Sequence, residues 1–368
     1  MSDFSPLTLV FMNSSPPDFW GGGEKWMVKA AALLGKRGHT VQLGCKPDSL
    51  LSQRADENGV PVRPFRIRGD FDPLMTLKIA RFLRRRKPDI LICNFIKDIR
   101  VAGLAGRLAR VPLILARQGL VLCKKKLKYE LGFRYLTDGL IVNSTSIRDT
   151  YLSYGWFKEH EIDVIYNGVS VVPDRPPYDV RRIFPQTENR MAILSAGRLD
   201  PQKGFTGLLE VAKRAKAMNK AWIFLVAGEG SLRDQIEEQI ADFDLAEFIQ
   251  LIGFQPELRS LMKACDVFVL PSRFEGMPNV VMEAMAEGTP VIASDVNGIK
   301  ELMVDGEDGY IVPWDNPKEF VDRLVKLEDR DRRDRMGMVA RERIIQRFTW
   351  ERMADQLEIC FHRRLAAL

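Results

Sequence analysis

The sequence predicts an α/β protein built from two parallel sheets, each covered by helices on both faces. Three observations carry this. Short apolar runs alternate with helix-length amphipathic stretches along the whole chain, the pattern of βαβ units. The alternation runs through two halves, and Pro173 to Pro177 (PDRPP) reads as a stiff linker between them. The length of 368 residues suits about two domains of roughly 150 residues. The expected division is 1–172 for an N-terminal domain, 173–347 for a C-terminal domain and 348–368 for a closing helix.

In the first half, Leu7 to Met12 reads as the opening strand. Trp20-Gly21-Gly22-Gly23-Glu24-Lys25 follows, then a helical pattern to Arg37. A glycine-rich turn between strand and helix lets backbone approach a ligand closely, although a tight turn needing glycine explains it equally well. It is not G-x-G-x-x-G, and no acidic residue completes a dinucleotide fingerprint. Further strands are expected at His39–Gly44, Pro61–Ile67, Asp89–Cys93, Val111–Ala116, Gly139–Val142 and Ile162–Tyr166, with a turn at Asn167-Gly168.

The second half repeats the scheme, with strands expected at Met191–Ala196, Trp222–Ala227, Phe248–Ile252, Asp266–Leu270 and Pro290–Ala293. The first runs into Gly197-Arg198-Leu199-Asp200-Pro201-Gln202-Lys203-Gly204-Phe205. Arg forks onto two phosphate oxygens and Lys supplies a mobile point charge, so this loop suits a diphosphate, or is simply two surface cations. Gly228-Glu229-Gly230-Ser231 and Gly253-Phe254 are further strand-end turns. Phe254 either flanks a base or belongs to the core, with the core reading favoured. The stretch Ser272 to Pro290 (SRFEGMPNVVMEAMAEGTP) reads as loop, helix and helix stop. Asn279 is the expected N-cap and Gly288 the stop, with Val281, Ala284 and Met285 at inward spacing. Unpaired amides at such a helix start attract anions. Glu275 and Glu283 bracket them, as acceptors for sugar hydroxyls or as solvated surface acids. A molecule with phosphates in the middle and hydroxyl-rich groups on both sides, a nucleotide sugar, has the matching shape. The tail from Phe348-Thr349-Trp350-Glu351 reads as a helix capped by Thr349.

Composition is that of a soluble globular chain, 46% hydrophobic and 28% charged. No apolar run reaches the ~18 residues that span a membrane. The start has no basic region, and its apolar run is too short for a signal peptide. Cys45, Cys93, Cys123, Cys265 and Cys360 are scattered, with no C-x-x-C pair, and read as free thiols in a reducing cytoplasm. Residues 1–170 hold 27 Lys+Arg and 16 Asp+Glu, a net of +11, and the remainder carries −5. The basic half implies an anionic partner: a membrane surface, a phosphorylated lipid or a nucleic acid. Nucleic acid is disfavoured, because no aromatic interleaving or nucleic-acid motif accompanies the charge. The densest tracts are Arg81–Lys87 (RFLRRRK) and Lys124–Lys128 (KKKLK); solvated helix faces are the competing explanation. Only three histidines occur. His39, at a strand start, reads as structural; His160 and His362, in charged surroundings, read as exposed. No Ser/His/Asp set and no ligand cluster at metal spacing is present, so no protein-bound catalytic metal and no cofactor are expected.

Gly21-Gly22-Gly23-Glu24, Arg198 with Lys203, and Glu275 with Glu283 together resemble the retaining group 1 (family 4) glycosyltransferases of GT-B fold. Asn143-Ser144, Tyr166-Asn167-Gly168-Val169, Gly306 to Val312 and Phe348-Thr349-Trp350 fall where that family has similar segments. The resemblance covers nearly the whole chain, and the block from Glu275 to Pro290 is its most specific part. It implies two Rossmann-like domains facing across a cleft, with a final helix crossing back to the N-terminal domain. The C-terminal domain would hold a UDP- or GDP-sugar, and the N-terminal domain a glycan or lipid-linked acceptor. Arg198 and Lys203 would grip the diphosphate, Glu283 the ribose hydroxyls and Glu275 the transferred sugar. Amides of Gly276 through Val280, Met277 and Asn279 among them, would bind sugar oxygens and phosphate. Gly253 and Phe254 would border the base, and Gly22 and Gly23 would approach the diphosphate. Such enzymes keep the anomeric configuration and need no metal. One departure stands out: many members carry a His where Gln118 stands here, and Gln cannot take up a proton at neutral pH. The implied protein is a cytoplasmic enzyme, peripheral on the inner face of the membrane, in lipopolysaccharide or glycolipid synthesis. A GT-B nucleotide-sugar epimerase and an inactive nucleotide-sugar-binding partner are the competing readings.

Overall fold

The computed structural model describes residues 4–121, 123–172 and 178–368. Two compact units emerge: one runs to Gly168 and takes in Trp350–Leu368, and the other is Val169–Thr349. Val169 stands with the second unit because its N–H donates to Phe348 O at 2.9 Å and it bridges Thr349. The expected linker Pro173–Pro177 lies outside the described residues.

The first unit holds seven strands: β1 (Thr8–Asn13), β2 (Thr40–Cys45), β3 (Val62–Pro64), β4 (Ile90–Cys93), β5 (Leu113–Gln118), β6 (Gly139–Val142) and β7 (Ile162–Val164). Their order is β3-β2-β1-β4-β5-β6-β7, and every pairing is parallel. The side chains alternate between two cores. Leu9, Phe11, Ile90, Ile92 and Leu115 enter one, while Val10, Met12, Leu91, Ile114 and Ala116 enter the other. A sheet buried on both faces needs unbroken apolar runs, which is why each strand was readable. The run at Pro61–Ile67 shrinks to Val62–Pro64, since Pro64 brings no N–H to a ladder. No turn forms at Asn167-Gly168. Gly168 is required there because a Cβ would lie 2.6 Å from Trp350 Cα.

Helix Gly22–Lys36 buries Trp26, Met27, Ala30, Ala31 and Leu34. Gly22 and Gly23 are its first two residues rather than part of the turn, which ends at the N-cap Gly21. Glu24 makes this possible: its carboxylate accepts from Gly21 N–H at 3.2 Å, tying off the helix start from within. Helix Trp350–Ala366 packs on the same core through Trp350, Met353, Leu357 and Phe361. A polar seam fixes it. His39 Nδ1 accepts from Leu7 N–H at 3.0 Å, so Nε2 carries the ring proton and donates to Glu358 Oε1 at 2.9 Å. Arg37 donates to the other Glu358 oxygen. Farther along, Arg363 and Arg364 both hold Asp163. His39 is thus structural, as expected, and His160 is exposed, but His362 is half-buried, stacked on Phe4 at 4.6 Å. All five cysteines are free and buried.

The second unit holds β8 (Met191–Ala196), β9 (Trp222–Ala227), β10 (Ile249–Gly253), β11 (Val267–Leu270), β12 (Val291–Ser294) and β13 (Tyr310–Val312). The order is β10-β9-β8-β11-β12-β13, again all parallel. β13 was not anticipated. Among the described residues no helix is long and apolar enough to cross a membrane.

Removing one partner of the seam should be costly, because it strands buried polar groups. Glu358→Ala is expected to lower the unfolding free energy by about 3 kcal/mol in urea titration. Asp355→Ala, which removes a half-exposed acid from the same Arg37, should cost less than about 1 kcal/mol.

Candidate active site

In each sheet the strand order reverses between two neighbours, β1 and β4 in one, β8 and β11 in the other. The loops leaving such a pair diverge to opposite faces and open a crevice at the carboxyl edge, where open α/β sheets bind ligands. In the second unit this brings together the two segments singled out in the sequence. Asp200 Oδ1 accepts from the N–H groups of Gln202 and Lys203 at 3.1 and 3.3 Å, curling Pro201–Lys203 into a short turn. Gly204 follows with φ 68°, and a Cβ there would fall 2.0 Å from Pro271 O. The loops after β8 and β11 therefore meet backbone to backbone. Arg273 N–H donates to Gln202 O at 2.8 Å, and Gln202 Nε2 to Phe274 O at 3.0 Å.

That contact delivers Lys203 Nζ to 2.7 Å from Glu275 Oε1, although the residues are 72 apart in sequence. Ser272 Oγ donates to the same oxygen at 2.7 Å. The Glu275 side chain is 8% exposed and that of Lys203 16%. A pair this dry gains little net stability, since desolvation offsets the attraction. Its effect is to fix where a carboxylate and an ammonium stand at the crevice. Arg198 stays largely in solvent, with Nε 2.7 Å from Asp200 Oδ2.

Helix Asn279–Ala286 follows. Its N-cap is Pro278, not Asn279, which is the first helical residue; the ring of Pro278, at φ −76° and ψ 107°, ends the extended loop one residue early. Val281, Ala284 and Met285 are buried as their spacing predicts, and Gly288 ends the turn at φ 78°. Gly276 and Met277 are buried, and Asn279, Val280 and Glu283 are half-buried. Among the described residues the N–H groups of Gly276, Met277 and Val280 have no acceptor. Gly253 O accepts from Gly228 N–H at 2.8 Å, joining the loops after β9 and β10. Phe254 is 75% exposed, which corrects the core reading: the positive φ of Gly253 turns the chain off the sheet, so the ring follows it into solvent.

The first unit has a polar edge of its own. Gly22 and Gly23 lie here, and a Cβ on Gly23 would be 3.4 Å from Asn94 Nδ2 and 3.5 Å from Arg117 Nη1. Arg117 is buried over the Trp26 ring at 4.8 Å and donates to Asn167 Oδ1 at 3.2 Å. Burial lowers its pKa to about 10, opposed by the nearby Glu24. Gln118 Nε2 donates to Asn94 O at 2.7 Å and to Arg117 O at 2.9 Å. Asp98 is fully buried and accepts from Phe95 N–H at 2.9 Å and Ser14 N–H at 3.3 Å. Burial raises its pKa to about 6. A cavity of about 230 Å³ opens beside it, lined by Ser14, Ser15, Pro16, Asp70, Phe95, Ile96 and Lys97. Sequence reasoning named Gly22, Gly23 and Gln118 here but missed Asn94, Asp98 and Arg117, although a signal existed: Asn13, Asn94, Asn143 and Asn167 each end or closely follow an apolar strand. Among the described residues no group of three or more His, Cys, Asp or Glu side chains converges as a metal site would.

Twin Rossmann-like parallel sheets with polar switch-point loops define a GT-B fold. The crystal structure of Anabaena HepE in complex with UDP shares it, with a TM-score of 0.84 and 21% identity over 98% of this chain and 100% of that one. Residues 179–343 match the profile of the group 1 glycosyl transferases and residues 20–172 that of glycosyltransferase family 4. The chain belongs to this family and is a glycosyltransferase. It is 28% identical to the lipopolysaccharide core biosynthesis glycosyltransferase LpsE of Rhizobium meliloti, covering 91% of this chain and 94% of that protein. It is 26% identical to an Escherichia coli UDP-Gal:alpha-D-GlcNAc-diphosphoundecaprenol alpha-1,3-galactosyltransferase, covering 92% of each.

Asp98 makes stability pH-dependent. Burial holds its folded pKa at about 6, above the 3.8 of an unperturbed aspartate. The contribution is therefore fully present below about pH 4 and is lost as the pH rises through 6, a change of roughly 3 kcal/mol. The unfolding free energy of Asp98→Asn, subtracted from that of the wild type across this window, should show that slope; a flat difference would overturn it.

Proposed function

We propose that the protein is a retaining, metal-independent hexosyltransferase using a UDP- or GDP-sugar as donor. The observation that carries this is the buried Lys203–Glu275 pair beside Arg198 at the switch point of the second sheet. Lys203 and Arg198 neutralise the departing diphosphate, a task that needs fixed positive charge and not a particular metal. Glu275, held by Lys203 and Ser272, faces the sugar. Glu283 accepts from the ribose hydroxyls, the amides of Gly276, Met277, Asn279 and Val280 take sugar and phosphate oxygens, and Gly253 with the exposed Phe254 borders the base. Gly22 and Gly23 offer the first unit's helix start to an anion.

The route is front-face exchange. The bond from the anomeric carbon to the diphosphate oxygen breaks, and a bond to the acceptor oxygen forms on the same face. The acceptor proton passes to the departing diphosphate. Gln118 supports this assignment: its amide is engaged by two backbone carbonyls and cannot accept the proton. UDP is the favoured base carrier, because the E. coli galactosyltransferase is named for UDP-Gal and HepE was solved with UDP. Those relatives, one of lipopolysaccharide core synthesis and one acting on a diphosphoundecaprenol, support a lipid-linked glycan acceptor. The protein then works in the cytoplasm, peripheral on the inner face of the membrane.

A panel of UDP-, GDP- and ADP-sugars should release nucleoside diphosphate from one class, and that nucleotide should raise the melting temperature. Glu275→Ala and Lys203→Ala should each lower kcat by about a hundredfold or more. A variant with normal turnover removes that residue from the mechanism, and nucleotide binding without turnover by any acceptor favours an inactive binding protein.

The product linkage gives a separate check. Proton NMR should show the donor's anomeric configuration retained, at a rate unchanged by EDTA. Inversion, or loss of rate on chelation, would sink the respective half of the reading.

A further inference from the structure

The first unit carries a face that its own core does not explain. Phe71, Leu74 and Leu77 are 86%, 82% and 57% exposed at and before the start of helix Pro73–Arg86. Leu127, Leu131 and Tyr135 are 67%, 47% and 65% exposed along helix Leu127–Leu136, at i, i+4 and i+8 on one stripe. Specific bonds join the two ridges. Arg100 holds Asp70 and donates to Lys128 O at 2.9 Å. Arg84 donates to Leu108 O at 3.0 Å, and Arg107, on the same short helix as Leu108, donates to Tyr135 O at 3.1 Å. The leucines thus belong to one continuous surface of a single unit.

The charges on that surface are one-sided. Three of its acids are already paired, Asp70 with Arg100, Asp138 with Arg107 and Glu130 with Arg134, and the Asp72 carboxylate is engaged as the helix cap, accepting from Met75 N–H at 3.1 Å. Arg81, Arg85 and Arg86 and the run Lys124–Lys126 are exposed and, among the described residues, make no ion pair. Protruding aliphatic side chains flanked by uncompensated cations fit one kind of partner, a bilayer surface bearing anionic headgroups. A nucleic acid would leave the leucines without a partner, since they neither stack on bases nor bond to them.

We propose that this three-helix face docks on the surface of an anionic phospholipid bilayer, with Phe71, Leu74 and Leu77 entering the acyl boundary and the arginine and lysine tracts meeting headgroups. The proposal rests on the peripheral-membrane reading above and names the surface that performs it.

Co-sedimentation of the full chain with vesicles, without donor or acceptor, tests it apart from catalysis. Binding is expected to vesicles of phosphatidylcholine with phosphatidylglycerol and not to phosphatidylcholine alone. It should fall about tenfold or more between roughly 0.1 M and roughly 1 M salt, as surface charge is screened. Phe71→Ser/Leu74→Ser/Leu77→Ser and, separately, Arg85→Glu/Arg86→Glu should each weaken binding about tenfold or more. Both variants should keep the wild-type melting temperature and its shift with UDP, because these side chains stand in solvent. Equal binding to neutral vesicles, unchanged binding by both folded variants, or displacement from anionic vesicles by a duplex oligonucleotide would overturn the proposal. Loss of the UDP shift in the wild type would instead strike the donor reading and leave the docking face standing.

Discussion

Gly204 and the carbonyl of Pro271 occupy space that no side chain could share. The rest of the second unit's carboxyl edge depends on that close approach. With the loops in backbone contact, Lys203 reaches Glu275, Ser272 donates to the same carboxylate, and Gln202 clasps the neighbouring strand exit on both sides. A Cβ at position 204 would separate the loops and release both charges to water, where a flexible ammonium and a flexible carboxylate hold no fixed geometry. Similar contacts repeat along the edge. Gly228 lies against Gly197 O and Gly298 against Gly276 O, each at a distance only a glycine permits. The edge is therefore rigid by backbone packing, and the Lys203 and Glu275 side chains inherit that rigidity.

The first unit solves the same problem with buried polar side chains. Asn13 donates to Glu24, Arg117 bonds Asn167 and lies over Trp26, and Gln118 is spent on backbone carbonyls. Asn13 and Arg117 are fixed by the first helix and by the segment after β7, and Gln118 by the exit of β4, so the network exists only when these elements lie together. Two consequences bear on chemistry. The one side chain at the Gln118 position cannot serve as a base, and Asp98 beside the cavity is a carboxyl whose charge is costly above pH 6. Both arrangements hold polar groups where a hydroxyl-bearing molecule would find partners.

Charge and apolar exposure are segregated within this unit. The strand ends are polar and dry, whereas the three-helix face is apolar, basic and wet. A chain that needed only solubility would scatter its leucines among acids. Here Asp70 and Asp138 are spent on ion pairs that join neighbouring segments, Glu130 on one within its helix and Asp72 on a helix cap, so the cations that remain are available to an outside surface.

The apolar runs by themselves determined the strands, since burial on both faces leaves no room for polar alternation. The expected bounds of Gly139–Val142, Met191–Ala196 and Trp222–Ala227 are those observed. Residue type and spacing also marked Lys203, Glu275 and the glycine turns, because backbone conformations and phosphate chemistry demand particular residues. Other features lay beyond that reach. Pro278 took the cap expected of Asn279, Gly22 and Gly23 joined a helix, Phe254 turned outward, and His362 was covered by Phe4. The first three turn on the conformation of one adjacent residue, Pro278, Glu24 or Gly253, which period does not weigh, and the last on a ring from the far end of the chain. Local sequence encodes propensity and period, whereas the Lys203–Glu275 pair spans 72 positions and forms only because strand order makes β8 and β11 neighbours. That adjacency is a property of the folded sheet alone.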